Sequence, residues 1–436
     1  MNLTLILWLM LFVILAVAAL RRPAWGVALY MLTFFLAPPY WWWGSAVAHI
    51  RWNLFASLVM FGSLILAGAF SERDLGTRRV SNRFITLVLL IAANATLVHF
   101  LLAPSLAISS VTYILLLKMM VLFVSMLYSI RSETDLKIII VAIVLGAAYM
   151  GYEVTFNDRG RVSGGRLEGV GTASASTSND LACLMVTCIA FIGPLFLFGQ
   201  RRDKAIAVMS GPLILNVLLL CNSRGAFLGL IILGIVYLAA APSSIRPQVY
   251  KIAALGLLAG WLLLGDPRIL ERFATTFNDA EERDRSAASR VEFWQAGLMM
   301  ISEHPLGAGG GGFKDVYGER YIHRVTGVGA ARSVHQGYIN EACEWGIQGL
   351  ALRLALFASG LLLAWRTSRH AIQTNQLFIS IVSLSIVAGL CGLFIQSLFG
   401  NFLNNEWGLW LIALAIGCHR LLDRGDLLVP AQEVAF

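Results

Sequence analysis

The sequence predicts an all-α, polytopic integral membrane protein of about 12–13 transmembrane helices with one long extramembrane loop. Three observations carry that prediction. Hydrophobic residues make up 58% of the chain and charged residues 13%, with a mean hydropathy of +0.73, which is too little polarity to cover a soluble surface. Apolar runs of about 20 residues recur throughout, each closed by a short basic or polar segment. Only one stretch, 266–349, is polar at length.

Taken in order, the apolar runs are 3–20, 24–41, 52–70, 84–104, 109–129, 136–154, 180–198, 204–221, 224–241 and 250–265 before that stretch. After it come 336–365, 376–398 and 404–421. The first run lacks a basic leader and a small-residue cleavage site, so it reads as a first span and not as a cleaved signal. No fixed-period repeat or low-complexity linker divides the chain. It reads as a single membrane domain, 1–436, with a loop, 266–334, inserted between transmembrane helices.

Lys and Arg alternate between the short loops. Arg21, Arg22, Arg73, Arg78, Arg79, Arg83, Arg131, Lys137, Arg201, Arg202, Lys204, Arg246, Lys251, Arg366, Arg369, Arg420 and Arg424 mark one set. The loops near 105–108 and 399–406 carry no cation, and 40–51 carries only Arg51. The positive-inside rule makes the first set cytoplasmic, with the aromatic run Tyr40–Trp43 on the outer side. It also accounts for the net charge of +8 without a nucleic-acid partner. The six cysteines all lie in or beside apolar runs without metal or disulfide spacing, and read as small core residues.

Three outer segments break the pattern. Arg159, Arg161 and Arg166 fall in 156–179, Arg224 in the break at 222–225, and Arg290 and Arg332 in the long loop. Outer arginines oppose the topological bias, so an anionic substrate on that face is expected. His335 stands where the polar loop meets an apolar helix, a place that suits a helix cap or a general base. Arg332 nearby disfavours the imidazolium, and a neutral ring is what a base needs. There is no HExxH or paired-acid motif around it, so no metal is expected. Arg290 opens an amphipathic stretch, Val291, Trp294, Leu298 and Ile301, that suits the membrane surface. A helix N-terminus beside a guanidinium would hold phosphate oxygens there. The glycine run 307–312 lacks the Gly-Lys-Ser/Thr of a phosphate loop and reads as a flexible hinge. Glu281, Glu282 and Asp284 read as a solvated turn, while Glu341, Glu344, Lys118 and Arg353 lie in apolar runs and should face protein or a polar cavity.

These pieces together resemble the O-antigen ligase and polymerase superfamily. The matching stretches are SRGAFLGL (223–230), SRVEFWQAGLMMISEHPLGAGGGGF (289–313) and VHQGYINEACEWGIQGL (334–350), preceded by an arginine-rich loop ending Asn179-Asp180-Leu181-Ala182. The N-terminal LRRPAWGVALYMLTFFLAPPYWWWG is similar to the O-glycosylation ligase branch. The resemblance implies a metal-independent, inverting glycosyl transfer at the periplasmic face of the bacterial inner membrane, without a cofactor. The donor would be a glycan on undecaprenyl pyrophosphate and the acceptor a sugar hydroxyl of lipid A–core. His335 would be the base, and Arg224 and Arg290 would hold the pyrophosphate, with Arg166 and Arg332 as further members of the clamp. Gln336 departs from the family, many of whose members have Asn after the histidine. An O-antigen polymerase or a protein O-oligosaccharyltransferase would use the same donor. A non-enzymatic transporter of lipid-linked sugars would instead place its charges along several spans.

Overall fold

The computed structural model describes residues 2–69, 75–163, 165–264, 285–330 and 332–428. The acidic turn at 281–284 and the start of the long loop lie outside the described residues.

Every apolar run folds as helix. The first six are α1 (Leu3–Arg21), α2 (Ala24–Phe35), α3 (Trp52–Leu66), α4 (Leu75–Leu101), α5 (Leu106–Ser129) and α6 (Glu133–Phe156). A short antiparallel hairpin, β1 (Arg161–Ser163) and β2 (Arg166–Glu168), then leads to α7 (Ser178–Ile189) and α8 (Ile192–Phe198). Next come α9 (Arg201–Cys221), α10 (Arg224–Ala240) and α11 (Arg246–Leu264). The long loop contributes α12 (Arg285–Glu303) and α13 (Gly318–Thr326). The chain closes with α14 (Gly337–Gln373), α15 (Leu377–Gln396) and α16 (Glu406–Leu428). It is an all-α polytopic membrane protein.

Fewer helices qualify as complete spans than the sequence leads one to expect. Among the described residues, eight are long and apolar enough to cross a membrane, or nine if the pair formed by α10 and α11, bent by 116°, counts as one. The 12 residues of α2 and 15 of α3 reach only about 18 and 22 Å at 1.5 Å per residue, short of a hydrocarbon core near 30 Å. Burial grades outward from α15. Of its apolar window, 83% is buried, packed between α10, α14 and α16, against 17% for α1 at the rim.

The loops gather at two ends. At one, the guanidinium of Arg22 meets Asp135 at 3.4 Å, Lys137 meets Asp203 at 3.8 Å, and Arg420 donates to the carbonyl of Leu127 at 2.9 Å. These are the cation-rich connections. The cation-poor loops meet at the other end. Trp41 packs on Gly171, Asn405 reaches Asp180 at 3.4 Å, and the hydroxyls of Tyr30 and Ser174 donate to the carboxylate of Glu406 at 3.0 and 3.2 Å.

The same end holds a broken helix. α14 is interrupted at Gly346, whose φ of 80° and ψ of 170° no other residue type adopts readily. A break strands backbone groups that lipid cannot satisfy. The glycine run supplies the partners: the N–H groups of Ala308 and Gly309 donate to the carbonyls of Cys343 and Glu344 at 3.0 and 2.9 Å, and that of Ile347 donates to Pro305 at 2.9 Å. Residues 307–312 are buried throughout. A Cβ on Gly309 would stand 2.6 Å from the Ser109 hydroxyl, and one on Gly310 2.5 Å from Thr112. The run is therefore a packed splint and not the hinge its composition suggests. Glycine is used for close approach, since no side chain fits between α5 and α14. The ionisable residues of α14 also find partners. Glu341 and Arg353 pair across the break at 2.9 Å, with 1% and 3% of their side chains exposed. Glu344 accepts from the Gly311 N–H at 3.2 Å and from Asn404 at 3.4 Å. Lys118 is exposed on α5.

Candidate active site

His335 sits at the end where the cation-poor loops meet, two residues before α14 begins. Its φ of 53° lies in the left-handed region, which histidine tolerates better than most residues but which still costs backbone energy. The turn is held on both sides. The His335 N–H donates to the Ser333 hydroxyl at 3.4 Å, and the Gly337 N–H donates to the Ser397 carbonyl at 2.7 Å. Gln336 caps α14, its side-chain oxygen accepting from the Ile339 N–H at 2.6 Å. The residue that departs from the family pattern thus has a local structural role as an N-cap.

The half-buried imidazole faces α12. Its ring centroid is 6.5 Å from that of Phe293. Burial, with the positive charges of Arg290 and Arg332, lowers the His335 pKa below its ordinary value. Two of the expected arginines therefore lie within electrostatic reach of this histidine. Neutral imidazole is the form a general base requires, and the site favours that form.

α12 presents two faces. Phe293, Ala296 and Met300 are buried against Val334, Phe313 and Tyr321. Of the stripe expected to lie on the membrane, Val291 and Leu298 are exposed, while Trp294 and Ile301 are half-buried and pack against that same cluster. α12 is described from Arg285 onward, and Arg290 lies within it.

Arg166 and Arg224 form a second cluster. Asn222 takes a left-handed conformation, φ 46°, that ends α9 and lets α10 start at Arg224. The hydroxyl of Ser223 does not cap α10; it donates to the Asn179 Oδ1 at 2.9 Å. Arg166, at the start of β2, donates to the same Asn179 oxygen and, through Nε, to the Cys221 carbonyl at 3.2 Å. The hairpin, α7 and the α9–α10 junction are thus tied at one point, with Arg224 in the uncapped first turn of α10. That is a favourable setting for an anion.

The two clusters are joined by the segment between α15 and α16. Phe399 packs against Gly225 beside Arg224, while the Gly400 carbonyl lies against Gly337. Along this segment Asn401 donates to the Ser333 hydroxyl at 2.5 Å, Asn404 reaches Glu344, and Asn405 reaches Asp180. Sequence reasoning missed these asparagines and Ser333. A cation-free loop carrying three asparagines in five residues, 401–405, is a visible signal, but nothing in the sequence says what they touch. Among the described residues, no group of three His, Cys, Asp or Glu side chains could hold a metal ion.

A family profile described as O-antigen ligase matches residues 206–354, from within α9 through the Gly346 break, and so takes in Arg224, Arg290, Arg332 and His335. A comparison with curated proteins finds no match.

Proposed function

The chain belongs to the O-antigen ligase superfamily of glycan-transferring enzymes, and from that premise we propose that it is a ligase of lipopolysaccharide assembly. It moves a glycan from undecaprenyl pyrophosphate to a sugar hydroxyl of lipid A–core, at the periplasmic face of the inner membrane. The observation that carries this reading is the half-buried His335, whose pKa is lowered by burial and by the charges of Arg290 and Arg332.

The acceptor hydroxyl gives its proton to the His335 imidazole as its oxygen attacks the anomeric carbon. The new C–O bond forms opposite the breaking bond to pyrophosphate, which inverts that centre. Undecaprenyl pyrophosphate leaves with the bonding electrons. Arg290 and Arg332 on one side, and Arg224 and Arg166 on the other, receive its growing negative charge. Each charge-assisted hydrogen bond contributes about 1.5–3 kcal/mol, and base catalysis on the order of 10²–10⁴-fold. The uncapped start of α10 adds N–H donors beside Arg224.

The test is transfer by purified protein from lipid-linked glycan to lipid A–core, with and without a chelator. His335→Ala should lose transfer, and Arg224→Ala or Arg290→Ala should lower turnover. Normal transfer by His335→Ala would remove the base, and loss of activity with chelator would remove the metal-free mechanism. Replacing lipid A–core with a second lipid-linked glycan, or with an acceptor protein, distinguishes a polymerase or a protein O-oligosaccharyltransferase using the same donor.

A further inference from the structure

We propose that Asn401 is a positioning residue for the reaction, holding His335 in its left-handed turn through the hydroxyl of Ser333. The inference rests on His335 being the base. The backbone on both sides of that residue is anchored to one segment, 397–401. On the C-terminal side the Gly337 N–H donates to the Ser397 carbonyl at 2.7 Å, a contact between backbones. On the N-terminal side the anchor is made of side chains. Asn401 Nδ2 donates to Ser333 Oγ at 2.5 Å, and Ser333 Oγ accepts the His335 N–H at 3.4 Å.

A non-glycine residue stays in the left-handed region only where its surroundings over-determine it. The Ser333 hydroxyl receives two donors here, so its oxygen is pinned between Asn401 and His335. Asn401 makes no hydrogen bond that would hold the fold elsewhere: among the described residues its Oδ1 is buried and receives no donor. Without Asn401, Ser333 is released and the turn can relax. The imidazole then leaves the position set by Phe293, Arg290 and Arg332.

Asn401→Ala should lower kcat about 10–100-fold, the loss expected for a base displaced by about 1 Å, with the KM for lipid-linked donor unchanged. Ser333→Ala should cost a similar factor. The double variant should cost no more than either single one, because both changes remove the same anchor. In Asn401→Asp the Ser333 hydroxyl can donate to the new carboxylate while still accepting from His335. That variant should recover most of the turnover. Its negative charge, set against Arg290 and Arg332, should also move the acid limb of the rate profile to higher pH. That shift reports how near the new charge lies to His335, while the recovered turnover reports the positioning. Wild-type kcat in a folded Asn401→Ala protein, or additive losses in the double variant, would overturn the proposal. If His335→Ala abolishes transfer while Asn401→Ala keeps the wild-type kcat, the positioning role alone falls. Wild-type transfer by His335→Ala removes both.

Discussion

At the scale of single residues, His335 is defined by its neighbours more than by its own chemistry. Burial and two cations push its pKa the same way, so the neutral ring persists to lower pH than in an ordinary histidine. The expected acid limb of transfer therefore lies below that of an unperturbed imidazole. Arg332→Gln removes one cation, favours the imidazolium, and should shift that limb to higher pH, as a rate–pH profile of the two proteins would show. An unshifted limb would mean that Arg332 does not act on His335. At Arg166 the guanidinium is partly committed to Asn179 and the Cys221 carbonyl. Arg166→Ala should therefore loosen the hairpin as well as weaken the clamp, and a donor KM and a melting temperature measured together would report both effects.

At the scale of elements, the glycine run and the broken α14 are one unit. Gly307 has a φ of 93°, and a Cβ there would stand 2.5 Å from the Gly346 nitrogen. Gly307→Ala should cost more than about 1 kcal/mol, because both the dihedral and the contact are unfavourable. Gly62→Ala, in α3, meets nothing within 4 Å and should be neutral or stabilise by up to about 1 kcal/mol. Thermal melts of the two variants in detergent compare the effects directly. The Glu341–Arg353 pair belongs to the same unit. Arg353→Met leaves a carboxylate buried without its partner and should destabilise by about 3–5 kcal/mol, while the double change Glu341→Gln, Arg353→Met should recover part of that loss.

At the scale of the whole molecule, the helices sort their loops by charge, with the basic connections at one end and the site at the other. An impermeant thiol reagent on intact cells tests the proposed sidedness. Leu306→Cys, exposed at the site end, should be labelled, and Arg202→Cys, exposed at the basic end, should not. The background is low because five of the six native cysteines are buried and Cys391 is half-buried. Labelling of Arg202→Cys alone would reverse the orientation.

By itself the sequence determined the helical membrane architecture, because length and apolarity leave a lipid-embedded chain few other ways to satisfy its backbone. It also singled out His335 and the four arginines as candidates, because charges on the cation-poor face stand out against a simple statistical bias. Tertiary structure alone decided which of these groups meet. The charges of Arg290 and Arg332 bear on His335, while Arg166 and Ser223, the residue before Arg224, both bond the Asn179 side chain. It also turned a presumed hinge into a splint and brought Asn401 to Ser333, 68 positions away in the chain. Contacts of that kind depend on how helices pack, and packing is set by shape at close approach, which hydropathy and spacing do not encode.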